Sequence, residues 1–359
     1  MPTFIRAARE VLARRRNFRP CFIGRDVTDM TLNVLVVTAM YPRAGNEGSG
    51  TFVMHQVEQL RALGHSVDVL DFPGYRSKLE YLKAAVEVSR RTRRRSYDLI
   101  HAHYGVTGLF ALWRNGTPLV VSLHGSDALV GWHEPLISRF VCRLADATIV
   151  ASKKIAERIP GEVIPCGVDL TVFEPKPKAE ARQRLNLESR RKYILFPFNP
   201  VRSIKRFDLA SAAVAKLAVE GVDIELLTVS KIPNAKMPWY YSASDAMILC
   251  SDSEGSSTAV KEALACNLPV VSTNVGDVRE IMDGIAGVEI VEKTREALAE
   301  ALKRVLYPPA GFVFNSRPAM ERYRQSKAAE AILRVYHRVI DQRDRAIARK
   351  RQCSVSNAS

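Results

Sequence analysis

Two glutamates, Glu254 and Glu262, bracket the stretch Glu254-Gly-Ser-Ser-Thr-Ala-Val-Lys-Glu262. An apolar run, residues 246–250, precedes it, and an amphipathic run, residues 259–266, follows. That order predicts a strand, a tight polar loop and a helix. A helix start presents unpaired backbone N–H groups and the positive end of a dipole, which is a ready anion site. Two carboxylates beside a site for phosphate alone would be out of place. They fit a ligand that also carries hydroxyls, for which carboxylates are strong acceptors. A ligand joining phosphate to sugar, of the nucleotide-sugar kind, meets both demands.

Three further groups could act with them. Arg202, Lys205 and Arg206 follow the apolar run 193–197 and precede a helical pattern at 207–220. Cations there would neutralise a departing diphosphate. A plain surface cluster is the alternative, but cations are mildly unfavourable at a helix start, which favours an anionic ligand. His124-Gly125-Ser126-Asp127 directly follows the run 119–123, at the carboxyl edge of a sheet. His124 and Asp127 there can contact sugar hydroxyls or stabilise charge at a reacting carbon; the other reading is a turn with a surface histidine. The loop Pro42-Arg-Ala-Gly-Asn-Glu-Gly-Ser-Gly50 follows the first strand, and Gly48 and Gly50 let backbone approach a ligand closely. It matches neither the P-loop nor Gly-x-Gly-x-x-Gly. His101 and His103 alternate onto one face and read as hydrogen-bonded structural residues or cleft lining. Asp252-Ser-Glu254 is the nearest approach to an acidic metal pair, and no Asp-x-Asp occurs. Basic side chains and a helix start already supply positive charge, so the expectation is a site without metal or cofactor.

The elements that must hold these residues alternate in type. After residue 30, strand patterns fall at 34–37, 66–70, 99–103, 119–123 and 147–151, with helical patterns at 51–63, 78–95 and 136–144 between them. A segment rich in proline and lysine, 173–178, interrupts the series. The pattern restarts with strands at 193–197, 224–229, 245–250 and 269–272, helices at 207–220 and 295–306, and a last helix at 328–345. Alternation of this kind means parallel sheets with both faces covered. We therefore expect two Rossmann-like α/β domains, residues 31–172 and 181–315, joined by a linker at 173–180. Residues 316–345 form a closing helical region and 346–359 a basic, polar tail. A cleft between the domains is where a ligand would sit.

The bulk properties limit the function classes. The chain has 359 residues, 47% apolar and 25% charged, with a formal charge of +15. Basic clusters at 14–16, 90–95, 190–192 and 343–351 are either solvated surface or attraction to anionic lipid or polymer. Nucleic acid is not expected as a partner, because no helix-turn-helix, zinc or single-strand-binding signature occurs. Six scattered cysteines without a Cys-x-x-Cys pair read as reduced thiols. No run is long and apolar enough to span a membrane. Residues 1–29 are basic without an apolar signal core, and Met30 is a candidate for the true start.

The combination resembles the retaining glycosyltransferases of family 4, with the GT-B fold, over residues 31–345. The resemblance rests on Glu254 and Glu262 with Gly255, the early glycine loop, Asp98-Leu-Ile-His-Ala-His103, His124-Gly125, and Pro165-Cys-Gly-Val-Asp-Leu-Thr-Val-Phe173. Lys205-Arg-Phe-Asp208 and Val260-Lys-Glu-Ala-Leu-Ala-Cys-Asn-Leu-Pro-Val-Val271 bring it nearest to the teichuronic acid biosynthesis type. The resemblance implies that Glu262 holds the ribose and Glu254 the transferred sugar. It implies that N–H groups around Ser256, Ser257 and Thr258 hold the diphosphate or sugar, that His124 lies at the anomeric centre, and that Lys205 meets phosphate. The family's arginine position is Pro200 here, with Arg202 nearby; the segment between Val229 and Trp239 is short for the family. The last helix would cross back to the first domain.

The implied reaction is transfer from a nucleotide diphosphate sugar, with retention, to a saccharide or lipid-linked acceptor of the cell envelope. The location would be cytoplasmic, on the inner membrane face, docked through the basic segment 90–95 (Arg90, Arg91, Arg93, Arg94, Arg95). Two rival readings stand beside it: a nucleotide-sugar epimerase on the same fold, and a non-catalytic scaffold at the membrane.

Overall fold

The computed structural model describes residues 31–43, 48, 50–74 and 77–356. The expected N-terminal extension 1–29 and the candidate start at Met30 lie outside that range.

The first domain runs β1 (Asn33–Thr38), α1 (Thr51–Ala62), β2 (Ser66–Asp71), α2 (Lys78–Arg94), β3 (Leu99–His103), α3 (Gly105–Ala111), β4 (Leu119–Leu123), α4 (Ser126–Leu129), α5 (His133–Leu144), β5 (Ala147–Val150), α6 (Lys153–Ala156) and β6 (Glu162–Val163). All pairings are parallel, in the order β2-β1-β3-β4-β5-β6. Val34, Leu35, Val36 and Val37 are all buried, as a strand covered on both faces requires. One face packs on Ala84 and Val88 of α2, Ala111 of α3 and Val141 of α5. The other packs on Val53, Val57 and Leu60 of α1.

The second domain runs α7 (Lys178–Arg184), β7 (Lys192–Phe196), α8 (Phe207–Val219), β8 (Ile224–Thr228), α9 (Met237–Ala243), β9 (Ala246–Leu249), α10 (Thr258–Ala265), β10 (Val270–Thr273), α11 (Val278–Met282), β11 (Glu289–Val291) and α12 (Arg295–Leu306). Its five strands are parallel, in the order β11-β10-β9-β7-β8. In each sheet the chain steps one way from the first strand and then the other, so the switch points lie between β1 and β3 and between β7 and β9. Ligands of open α/β sheets bind beyond the carboxyl ends of strands at such points.

The crossover helix is α13 (Gln325–Ser356). It returns to the first domain, where Ile332, Val335, Tyr336 and Val339 join the cluster under α1. Two ties hold the junction. Val168 pairs with the strand-like segment at Arg324, through Val168 N–H to Tyr323 and Gln325 N–H to Val168. Arg317 donates to the carbonyls of Leu170, Phe173 and Ala265.

The structure departs from the sequence reading at several boundaries. Helix α7 starts inside the expected linker, directly after Pro177. Helix α13 runs through the expected tail to Ser356. α3, α4, α6, α9, α11 and β11 were not anticipated; each has seven residues or fewer, too few to display a periodic apolar stripe.

Candidate functional site

Lys205 ends a short 3-10 turn, Ser203–Lys205, after β7. Asp252 N–H donates to the Ile204 carbonyl at 2.8 Å, which ties this turn to the loop after β9. That tie brings Lys205 onto Glu254 in a direct ion pair, with only 10% and 13% of their side chains exposed. The ammonium also lies 4.3 Å from the centre of the Phe198 ring. The two residues singled out separately in the sequence are thus one unit. Arg202 is exposed on the same turn. Burial raises the pKa of the Tyr104 hydroxyl in the first domain, and the charge of Arg202 opposes that rise from across the cleft.

Glu262 lies one helical turn into α10. Its carboxylate accepts the Tyr241 hydroxyl at 2.8 Å. Burial pushes its pKa up to about 7, against the lowering effect of Tyr241 and Lys261. Glu254 and Glu262 do not converge on one atom; each has its own partner, on either side of the α10 start.

The N-terminus of α10 is organised differently from expectation. Asp277 accepts the N–H of Ser257 at 2.9 Å and the Ser256 hydroxyl at 2.6 Å. The Ser256 hydroxyl and the Ser257 N–H are therefore engaged by the protein itself. The N–H groups of Thr258 and Ala259, which are half-buried, are left unpaired by the helix at its start. Lys261 balances Asp277. Fully buried, its ammonium donates to the Cys166 carbonyl at 2.8 Å, Ser256 Oγ at 2.5 Å and Asp277 at 3.3 Å, and sits 4.9 Å from the Tyr323 ring. Three acceptors satisfy all three ammonium protons. Lys261 and Asp277 were missed in the sequence, although a lysine on the apolar face of an amphipathic helix was a usable signal.

His124 lies at the end of β4. Its Nε2 is 2.9 Å from His103 Nδ1, and the rings stack at 5.2 Å. His103 stacks in turn on His101, which meets Ser122 at 2.7 Å and Tyr336 of α13 at 2.6 Å. Burial drives the His101 and His124 pKa values down to about 3, so the rings are neutral. The other nitrogen of His124 faces Cys166 Sγ at 4.0 Å. The expected structural role of His101 and His103 is what the geometry shows, and the His124 ring is drawn into the same stack.

Asp127 does not face the cleft. It is buried and accepts the N–H groups of Gly125 at 2.9 Å, His124 at 3.0 Å and Gly105 at 3.3 Å. The expectation that Asp127 contacts substrate gives way to a bracing role: it fixes the turn that carries His124. Burial raises its pKa to about 6 despite those N–H groups.

The two domains touch at glycines. A side-chain carbon on Gly255 would collide with the His124 carbonyl, and one on Gly125 would lie 2.7 Å from Gly255. No other residue type permits this approach of the His124 and Glu254 loops. Gly50, at φ +68°, caps α1 and backs onto the Met40 carbonyl, while Gly48 lies exposed with open space around it. Close packing of the early loop against the protein itself thus needs Gly50. Among the described residues, no three His, Cys, Asp or Glu side chains gather as a metal site.

The comparisons with known proteins match both domains. A family model described as Glycosyltransferase Family 4 covers residues 46–172, and one described as Glycosyl transferases group 1 covers residues 199–307. TuaC of Bacillus subtilis, named as a teichuronic acid biosynthesis glycosyltransferase, is 27% identical over 76% of this chain and 89% of its own length. A D-inositol 3-phosphate glycosyltransferase of an Arthrobacter species is 27% identical over 73% and 76%. In fold, the chain is similar to sucrose-phosphate synthase of Thermosynechococcus elongatus, with TM-score 0.72 and 18% identity over 86% of this chain and 100% of that one. It is also similar to Anabaena HepE, solved with UDP and glucose, with TM-score 0.66 and 16% identity over 85% and 99%. The first domain thus matches glycosyltransferase family 4, the second matches glycosyl transferases group 1, and the chain has the GT-B fold.

Proposed function

We propose that this glycosyltransferase moves a sugar from a nucleotide diphosphate sugar to a saccharide or lipid-linked acceptor of a cell-envelope polysaccharide, with anomeric configuration retained and no metal required. The observation that carries this reading is the line Lys205–Glu254, α10 start, Glu262 along the carboxyl edge of the second sheet.

In this account the donor diphosphate draws Lys205 away from Glu254 and takes the N–H groups of Thr258 and Ala259 at the α10 start. Glu254, released, accepts hydroxyls of the transferred sugar. The ribose hydroxyls replace Tyr241 at Glu262. Both ring nitrogens of His124 face protein groups, so His124 offers the sugar its carbonyl, which lies against Gly255. The bond from the sugar's anomeric carbon to the diphosphate oxygen breaks, the acceptor oxygen bonds that carbon, and the acceptor proton passes to the departing diphosphate. Lys205 and Arg202 stabilise the charge that develops there.

An envelope acceptor is supported by the name of the Bacillus subtilis relative. The reading includes docking on the inner membrane face; no described helix is long and apolar enough to cross a membrane. The basic segment 90–95 supplies charge for this, although Arg90 and Arg91 pair with Glu87, and Arg95 with Asp68. The test is incubation with labelled nucleotide sugars, with and without an envelope lipid fraction, followed by NMR of the product linkage. A labelled lipid-linked product with the donor's anomeric configuration is expected. A new free nucleotide sugar isomer without any acceptor would overturn transfer in favour of epimerisation.

A further inference from the structure

Exposed large apolar side chains gather on one face of the first domain. Helix α2 exposes Leu79, Leu82, Val86, Arg90 and Arg93, residues spaced three or four apart and so on one stripe. Helix α5 and the turn before it expose Trp132, Leu136, Phe140, Arg143 and Leu144 in the same way. Leu79 and Trp132 are each 65% exposed and Val86 62%. An apolar side chain left this open on a helix gains nothing from folding the domain.

The two stripes belong to one surface. Both helices cover the same face of the first sheet, and the short α3 lies between them. Tyr81 of α2 meets Phe110 of α3 at 5.3 Å. On the other side, Gly105 and Gly108 of α3 lie against Ser138 and Val141 of α5, with no room for a side chain between them. Both helices run antiparallel to the strands, so both stripes have the same polarity. Their apolar ends start at the carboxyl edge of the sheet, the edge that carries His124. Their arginines lie toward the opposite edge.

We propose that the stripes of α2 and α5 form one insertion face, by which the first domain docks into the surface of an anionic phospholipid bilayer with the cleft rim against the lipid. The proposal rests on the membrane reading above and changes its mechanism: apolar insertion at the rim, with arginines as a second support. The charge pattern selects the occupant. Lys83, Arg90, Arg91, Arg93 and Arg94 of α2 outnumber Glu80 and Glu87, and Arg139 and Arg143 of α5 outnumber Glu134. A second copy on this surface would set arginine stripe against arginine stripe, whereas anionic headgroups complement it. The ion pairs that Glu87 makes with Arg90 and Arg91 are at the surface and weak, so the guanidinium groups are free to turn to phosphate. A lipid-linked acceptor held in that bilayer would present its headgroup at the rim where the His124 loop ends.

The experiment is flotation of the whole chain with phosphatidylcholine vesicles containing about one third phosphatidylglycerol. Binding is expected at low salt. The variant Leu82→Glu/Val86→Glu/Leu136→Glu/Phe140→Glu should bind about a hundred-fold more weakly. Arg93→Glu/Arg94→Glu/Arg143→Glu should keep a residual binding that salt does not change. Thermal shift with nucleotide diphosphates, read on every variant, reports the fold and the donor site independently. A second measurement needs no disruptive change: the wild-type fluorescence should shift to the blue on anionic vesicles, and Trp132→Phe should abolish the shift. Absence of wild-type binding, wild-type affinity in the apolar variant, or an unchanged Trp132 signal would each overturn the proposal while leaving the donor site intact. A dimer of the wild-type chain that the apolar variant abolishes would assign the face to a second copy instead.

Discussion

Lys205 and Glu254 give the sharpest prediction, because one variant should cost stability while its partner restores it and leaves binding lost. The pair is nearly buried, with 10% and 13% of the side chains exposed. Lys205→Met leaves the Glu254 carboxylate without its counter-charge in that setting. Removing one partner of a buried pair costs about 3–5 kcal/mol, and the slight exposure puts this case near about 3 kcal/mol. In Lys205→Met/Glu254→Gln no charge is stranded, and Met can still pack on Phe198, so the double variant should lose about 1 kcal/mol or less. The double variant should therefore be about 2 kcal/mol more stable than Lys205→Met alone in urea unfolding. Donor binding should behave otherwise. A charge-assisted hydrogen bond to phosphate contributes about 1.5–3 kcal/mol, so Lys205→Met should weaken nucleotide diphosphate affinity about ten- to hundred-fold. The double variant should be as weak as the single one, because restoring the packing does not restore the cation. Additive stability losses would refute the reading of the pair as one unit. Unchanged affinity in Lys205→Met would refute its role at the diphosphate.

Three further outcomes follow from the same geometry. Glu262, raised to about 7 by burial, should accept ribose hydroxyls best when ionised. Calorimetric affinity for a nucleotide diphosphate sugar should thus increase from pH 6 to pH 8, and Glu262→Gln should flatten that profile. Gly255→Ala drives a methyl group into the His124 carbonyl; turnover should fall at least about ten-fold, with nucleotide affinity little changed and a larger radius of gyration by X-ray scattering. Buried His101, held neutral with a pKa near 3, is depressed below its unfolded value. Its contribution is present above about pH 6.5 and is lost as pH falls toward 3, about 2 kcal/mol between pH 8 and pH 5. Asp127 and Glu262, both raised, act with the opposite sign, favouring the folded state as pH falls. Urea unfolding should therefore show His101→Gln about 2 kcal/mol better off at pH 5, relative to pH 8, than the wild type is.

The architecture was legible in the sequence because its strands are buried on both faces. Val34, Val36, Ile248 and Val271 stand in continuous apolar runs that only a parallel sheet explains. Helix α13 was legible through Ile332, Val335 and Val339, which repeat at helical spacing, whereas its crossing to the first domain was implied by the family resemblance alone. What the sequence did not display is partnership. Glu254 and Lys205 were each visible as candidates, but their ion pair depends on the tie between Asp252 and Ile204, which no spacing rule encodes. Asp127 looked like a ligand because it follows a strand end. Only the turn geometry reveals that its lone pairs are consumed by its own loop. Ser256 and Ser257 stood at the expected helix start, yet Asp277, some twenty residues on, takes their protons first.

The central claim is that the line from Lys205 through the α10 start to Glu262 takes the diphosphate and ribose of a nucleotide sugar. Titration calorimetry with a panel of nucleotide diphosphates and their sugars tests it most directly, on the wild type and Glu262→Ala side by side. The account predicts that at least one nucleotide diphosphate sugar binds the wild type and that Glu262→Ala weakens it about ten-fold or more. Binding by none of the panel, or equal affinity in both proteins, would contradict it.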